Sequence, residues 1–378
     1  MPEKASFFLF GPRQTGKSTL ISETLKSNSW MVNLLLNEAF SKYSKYPELF
    51  RKEALQKIEK ENTEVVFVDE IQKVPALLNE IQFLIDQKKA QFILTCSSAR
   101  KLKKGGANLL GGRAVERFLF SFIFSEIEEG FDLEDVLRFG SLPSIYGKNV
   151  EEKIDNLKAY TNIYLREEIQ LEGIVRNLGG FSRFLDIAAS QFGDVVNFSN
   201  IGRECHLPTR TVQSYYEILE DTLIGFRLDP WRKSLRKRLG SHPKFYLFDM
   251  GVTNAINRHL GDLPDNNLRG RLFEQFIVLE TFRLLNYLQS ESRIYYWRTN
   301  IGAEIDLVIE KQGELKAAFE IKAKRTVGGN DFSGFRAFSD DNPKVPCFLV
   351  CETEEPYNEG KIGVLPWKIF LKRLPEFL

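Results

Sequence analysis

Ser6-Phe7-Phe8-Leu9-Phe10, followed without a break by Gly11-Pro12-Arg13-Gln14-Thr15-Gly16-Lys17-Ser18-Thr19, is the stretch of the 378-residue sequence that decides the fold. The first five residues form an apolar run of strand length, and the next nine complete a G-x-x-x-x-G-K-[ST] loop. Such a loop needs Gly11 and Gly16 so that backbone N–H groups turn inward toward phosphate oxygens. It needs Lys17 to neutralise the β- and γ-phosphates, and Ser18 to ligate Mg²⁺. Leu20 to Leu25 then start a helix whose positive end faces the phosphates. Strand, loop and helix in this order predict an α/β P-loop NTPase fold on a parallel sheet. Residues Gly11 to Thr19 are the candidate nucleotide contacts, with ATP and Mg²⁺ the expected ligands.

Working outward, Glu64-Val65-Val66-Phe67-Val68 has the composition of a buried strand and ends in Asp69-Glu70. Two acids at a strand's carboxyl end suit the division of labour at such a site. Asp69 joins Ser18 in the Mg²⁺ shell, and Glu70 orients or deprotonates the attacking water. Between the motifs the pattern predicts a strand over Trp30–Leu36 and a helix over about Pro47–Lys60. A helix near Pro75–Gln87 follows, then a strand over Gln91–Cys96 ending at Ser97-Ser98. Those hydroxyls either sense the γ-phosphate and hold the water, or serve as turn and helix caps.

The counts narrow the remaining classes. With 52 Lys+Arg against 51 Asp+Glu, the net charge of +1 gives no global field for nucleic acid or an acidic membrane, so partners have to be read from local patches. With 43% hydrophobic residues, the chain is neither disordered nor collagen-like. At roughly 100–200 residues per domain, the length predicts two or three globular units. Cys96, Cys205, Cys347 and Cys351 lack zinc-type spacing, as do His206, His242 and His259, and Cys347 and Cys351, flanking the apolar run Phe348-Leu349-Val350, read as buried inert thiols. No window reaches the ~18 apolar residues that would cross a bilayer. A soluble, cytoplasmic protein with no membrane partner is expected.

GPRQTGKST, VVFVDEIQ and LTCSSARKLKKGGANLLGGRA, in this order, resemble the AAA-type ATPase domain of a widespread microbial family. In that family the ATPase core is followed by a winged helix and a nuclease-like C-terminal domain. The resemblance implies the sensor role for Ser98 or its neighbour Ser97. It makes Arg113 a candidate arginine finger within a ring-forming homo-oligomer, such as a hexameric ring. A plain surface or helix-pairing role for Arg113 stays open beside it. The sequence places Cys96 where the family commonly has glycine.

Four segments follow: an ATPase core over 1–128, a helical lid and linker over 129–194, a winged helix-turn-helix over 195–250, and a restriction-endonuclease-like α/β domain over 251–378. An amphipathic helix is expected over about Asn149–Arg176, and another from Gly180 to about Gln191. Phe198–Cys205 and Thr209–Leu219 read as a helix-turn-helix whose second helix presents Arg210 and Gln213 toward phosphates or base edges. Two strands near Leu223–Leu228 and Lys244–Phe248 bracket Arg232, Lys233, Arg236, Lys237 and Arg238, five cations in seven residues at the tip expected for a wing. DNA is the partner this charge suits, and protein docking by the same fold is the alternative.

In the last segment, Ala303–Ile309 and Leu315–Lys322 read as strands. On the second, Ala317, Phe319 and Ile321 face one way while Glu320 and Lys322 face the other. Pairing brings Asp306 beside that polar face, and Glu274 reaches in from a helix over about Arg271–Leu288. The set looks like the PD-(D/E)xK nuclease core, which implies a second divalent ion held by Glu274, Asp306 and Glu320, with Lys322 orienting or deprotonating water. Charge alternation on an amphipathic strand without chemistry is the other reading. The expected activity is a Mg²⁺-dependent ATPase working on DNA. An ATP-switched, metal-dependent DNA nuclease and an ATP-regulated protein-binding scaffold are the alternatives.

Overall fold

The computed structural model describes residues 5–25, 27–87, 89–98, 110–164, 177–232, 242–261 and 264–378. The chain divides into two compact units, Met1–Phe120 with Asp221–Ile224, and Ser121–Glu220 with Gly225–Leu378.

In the first unit, strands β1 (Phe7–Phe10), β2 (Ser29–Asn33), β3 (Val65–Asp69), β4 (Gln91–Cys96) and β5 (Val115–Phe118) form a sheet ordered β2-β3-β4-β1-β5. Every pairing in it is parallel. Parallel strands covered on both faces read as largely apolar runs, and the three inner strands β1, β3 and β4 do, while the edge strands β2 and β5 carry polar residues. On one face Phe8, Phe10, Val66, Val68, Phe92 and Leu94 pack with Phe50, Leu77 and Ile81 from the helices Pro47–Glu61 and Leu77–Asp86. On the other, Phe7, Leu9, Phe67 and Ile93 pack with Ile21 of the helix Lys17–Thr24. All the strands run the same way, so the loop after β1 and the acids at the end of β3 emerge on one edge, on either side of β4.

The strand expected over Trp30–Leu36 is shorter, and the helix Asn37–Lys45 follows it. The Asn33 side chain ends the strand by accepting the Leu35 N–H at 2.8 Å, a local turn that diverts the backbone from the sheet.

The second unit begins at Ser121, and Phe124 belongs to its core. The Phe124 ring lies 5.0 Å from Phe131 and 5.3 Å from Trp367, and its N–H donates to Glu280. That core also takes in Val136, Leu137, Leu228, Tyr246, Phe276, Leu307 and Phe319, so the segments read separately at 194 and 250 share one interior. Among its helices are Leu133–Phe139, Val150–Ala159 with a π-type turn over Tyr160–Tyr164, and Leu178–Ser190. The rest of the helix expected up to Arg176 lies outside the described residues.

Helices Phe198–Cys205 and Thr209–Asp221 make a tight pair. Asn197 caps the first, and Gly202 sits so close beneath the Leu207 carbonyl that a Cβ would stand 2.8 Å from that oxygen. An antiparallel ribbon follows, β6 (Gly225–Leu228) with β7 (Lys244–Leu247). After the helix Asn266–Tyr287 come β8 (Arg293–Arg298), β9 (Glu304–Lys311), β10 (Glu314–Ile321), β11 (Cys347–Cys351), β12 (Tyr357–Glu359) and β13 (Ile362–Pro366). They form a mixed sheet ordered β12-β13-β11-β10-β9-β8. Both faces are covered: Leu307, Ala317 and Phe319 join the shared core, while Val308, Ala318 and Leu349 pack with Phe335 and Phe338 of the helix Ser333–Asp341.

Arg283 is the polar hub of this interior. Its guanidinium donates to the Phe122 and Phe248 carbonyls at 2.9 and 2.8 Å and to the Ser141 hydroxyl at 3.2 Å. Asp249 lies 4.0 Å and Glu280 3.8 Å away. Among the described residues no helix is long and apolar enough to cross a membrane.

Candidate nucleotide site and a buried ion cluster

The loop after β1 is closed on itself. Gly16, at φ 86°, takes the left-handed conformation that starts the helix Lys17–Thr24, where a side chain would be strained. Gly11 is needed for a different reason: a Cβ there would stand 2.1 Å from the Leu119 carbonyl oxygen. The Thr15 hydroxyl donates to the Pro12 carbonyl at 2.9 Å, bracing the turn. The Lys17 ammonium donates to the Gly11 and Pro12 carbonyls, both at 2.8 Å, and is buried. Of the remaining loop residues, Pro12 is buried, Arg13 and Gln14 are half-buried, and Thr19 is exposed.

At the end of β3, Asp69 is 2% exposed and meets the loop directly, its carboxylate oxygens accepting from the Ser18 hydroxyl at 3.0 and 2.9 Å. Thr95 of β4 donates a further hydrogen bond to Asp69 and accepts the Glu70 N–H at 3.0 Å. Glu70 has a left-handed backbone, φ 59°, and its carboxylate accepts from the Gln72 amide, which also donates to Ser97 at 3.1 Å. Ser98 is fully buried, and its hydroxyl has no hydrogen-bond partner among the described residues.

Lys17, Ser18, Asp69, Glu70 and Ser98 are therefore all gathered at one sheet edge or strand end. Thr95 and Gln72 were missed by the sequence reading, although a threonine within an apolar strand and a glutamine two residues after Glu70 were the available signals. Arg113 pairs through Nε with Asp86 of its own chain.

The second unit brings Glu274, Asp306, Glu320 and Lys322 into one cluster. The Lys322 ammonium is 2.7 Å from Glu320 and 3.7 Å from Asp306, and Asp306 Oδ2 accepts the Ile321 N–H at 2.8 Å. With both faces of the sheet covered, the polar side of β10 is interior: Asp306 is 7% and Glu320 9% exposed. Two further residues stand at the centre. Lys244 of β7 lies 2.6 Å from Glu304, 3.0 Å from Glu274 and 4.0 Å from Asp306. The Tyr246 hydroxyl donates to Glu274 at 2.6 Å.

The electrostatics follow from this crowding. Burial, then the neighbouring Glu274 charge, pushes Asp306 up to about 6. Burial, then Asp306, pushes Glu320 up to about 8. Burial would raise Glu274 as well, but the Lys244 ammonium, the Tyr246 hydroxyl and the Lys322 charge together outweigh it and hold the carboxyl below its usual value. Burial would lower Lys244, yet Glu274 and the other acids around it keep it well above the ordinary lysine value.

A divalent ion does not fit this arrangement, because an ammonium already stands among the carboxylates that would ligate it. Among the described residues no three His, Cys, Asp or Glu side chains are grouped so as to hold a metal. In the helix pair, Arg210 and Gln213 are exposed on one side of the helix Thr209–Asp221 while Val212, Tyr215 and Tyr216 are buried. Arg232 is half-buried, and Lys233, Arg236, Lys237 and Arg238 lie outside the described residues.

Comparison with known proteins agrees with this geometry at the level of the first unit. Residues 3–128 match the family described as an AAA domain. The N-terminal part of the chain is thus similar to ATPase-type domains. Residues 130–262 and 269–370 match two families described as domains of unknown function, DUF8612 and DUF4143. Two curated relatives are the uncharacterized proteins Rv2008c of Mycobacterium tuberculosis and Mb2031c of Mycobacterium bovis. Each is 26% identical over 325 residues, 84% of this chain and 70% of the relative.

Proposed function

We propose that the chain is a Mg²⁺-dependent ATPase whose turnover acts on DNA through the helix pair of the second unit. The observation that carries the ATPase reading is the contact of Ser18 with Asp69, which joins the phosphate loop to the acidic end of β3. A hydroxyl and a carboxylate facing each other are the hard oxygen donors that Mg²⁺ prefers, so the residues present fit the ion. When bound, Mg²⁺ supplies Lewis-acid polarisation of the phosphoryl oxygens.

The chain's own groups do the rest. Lys17 exchanges the Gly11 and Pro12 carbonyls for phosphate oxygens, and the start of the helix Lys17–Thr24 offers its N–H groups to the same charge. Glu70 orients the attacking water and takes its proton, held in place by Gln72. Ser98 has hydrogen-bonding capacity to spare for the γ-phosphate or the water. Support for DNA comes from the exposed Arg210 and Gln213 on the second helix of a tight pair followed by an antiparallel ribbon.

The test is the steady-state rate of ATP hydrolysis with Mg²⁺ at low salt, without nucleic acid and then with single-stranded, duplex and branched DNA. A rate lost in Lys17→Ala and raised by one DNA structure is expected. A rate that survives Lys17→Ala overturns the site, and a Lys17-dependent rate indifferent to every DNA overturns the partner.

A further inference from the structure

Lys244 is the least expected member of the buried cluster, and its surroundings say what it does. Its ammonium is nearly inaccessible, with the side chain 4% exposed. It is met by carboxylates from separate elements: Glu274 from the helix Asn266–Tyr287, and Glu304 and Asp306 from β9. Carboxylates are the donors a divalent ion would use, at oxygen distances of about 2.0–2.6 Å, but these three are spaced around the ammonium and not drawn together as a metal's ligands. An ammonium 2.6 and 3.0 Å from two of them fills that space with a single charge and N–H donors. Three further acceptors are engaged, by Tyr246 on Glu274, by the Ile321 N–H on Asp306, and by Lys322 on Glu320 Oε1, while Glu320 Oε2 has no hydrogen-bond partner among the described residues.

Lys244 is carried to this point by a docked element, not by a wandering surface chain. The chain just after β6 and just before β7 is fastened to β8 and β9 independently. Trp231 donates its indole N–H to Glu310 at 2.9 Å and its backbone N–H to the Tyr296 carbonyl at 2.6 Å. The Tyr296 hydroxyl donates to the His242 carbonyl at 2.6 Å, and its N–H to the Asp229 carbonyl at 3.1 Å.

We propose that Lys244 is the resident cation of this carboxylate cage, fastening the β6–β7 ribbon to the sheet and excluding a divalent ion from it. The residue pattern of a metal-dependent nuclease is present, but its charge is neutralised from within. The second unit then serves as a binding and clasping module and not as a metal-dependent hydrolase. Nothing in this depends on the ATPase reading, which concerns the other unit.

The experiment is Mn²⁺ titration of the full chain, followed by the electron paramagnetic resonance of the free ion, without nucleotide. Wild type and Asp306→Asn are expected to bind Mn²⁺ alike. Lys244→Met is expected to gain one site, about tenfold or more tighter than anything in wild type, because charge count sets affinity at such sites. Lys244→Met/Asp306→Asn is expected to lose it again. A wild-type Mn²⁺ site abolished by Asp306→Asn overturns the proposal, as does a folded Lys244→Met that gains no ion. If Lys244→Met does not fold, the comparison of wild type with Asp306→Asn still decides.

Discussion

Gly11→Ala tests whether the phosphate loop is held by close approach and not by backbone conformation. A Cβ at this position would lie 2.1 Å from the Leu119 carbonyl oxygen and 3.1 Å from Thr15 Oγ1. The gap to Leu119 must therefore open by more than about 1 Å to reach an ordinary contact. It cannot open freely, because the Leu119 N–H donates to the Phe10 carbonyl at 2.8 Å and β1 pairs with β5 up to Phe10 and Phe118. Overpacking of this kind costs about 1–3 kcal/mol and the strained or lost hydrogen bond about 1 kcal/mol, so about 2–4 kcal/mol is expected. In a unit of this size that lowers the melting temperature by roughly 5–15 °C. The Gly11 carbonyl also holds Lys17, so ATP affinity should fall together with stability. Differential scanning fluorimetry and calorimetric ATP titration read both quantities, with Gly328→Ala as control, since nothing lies within 4 Å of a Cβ there. Wild-type melting and wild-type ATP affinity in Gly11→Ala would refute the reasoning.

Three further outcomes follow from the same geometry. Gln72→Met removes the amide that holds Glu70. Loss of one hydrogen bond to a charged group, about 1.5–3 kcal/mol, should lower kcat roughly 10- to 100-fold. KM for ATP should stay within about twofold, and an unchanged kcat would show that Glu70 is positioned without Gln72. Arg283→Met strands Asp249 and Glu280 inside the second unit and should destabilise it by about 3–5 kcal/mol, read as the urea midpoint of tryptophan fluorescence. A midpoint close to wild type would mean that the backbone carbonyls alone do not need the guanidinium.

The third concerns pH. Glu320 is raised by burial from 4.5 to about 8, so the folded chain keeps a proton that the unfolded chain releases. Stability from this group is present in full below about 4.5 and declines as pH rises toward about 8, by a few kcal/mol at most. Asp306 acts in the same direction over a narrower range. Denaturation from pH 4.5 to 8 should show this decline, and Glu320→Gln should flatten it. A slope identical in the variant would place the effect elsewhere.

Legibility in the sequence followed the range of the interactions. Strand β1, its loop and the following helix are contiguous, so one nine-residue pattern carried their structure. The gathering of Glu274, Asp306, Glu320 and Lys322 was also anticipated, because strand pairing places them by register. Lys244 was not, since its partners lie 30 or more residues away on a helix and a different sheet, and a lysine opening the strand KFYL reads locally as a surface residue. The alternation along β10 reads either as a nuclease-like site on its polar side or as an amphipathic strand without chemistry. A second layer, the helix Ser333–Asp341, covers that side, and alternation alone does not say whether such a layer exists. Thr95 and Gln72 escaped for a related reason: each acts on an acid contributed by another position, and only the tertiary structure pairs them.

The buried ammonium of Lys17 has a consequence for how a phosphate is received. A lysine in solvent would have to shed water and settle into one rotamer when the ligand arrives. Here both changes have already occurred during folding, with two carbonyl dipoles standing in for the anion. Binding on the proposed site becomes an exchange of neutral acceptors for charged ones around an ammonium that hardly moves. On that reading the loop is a pre-wired socket for phosphate.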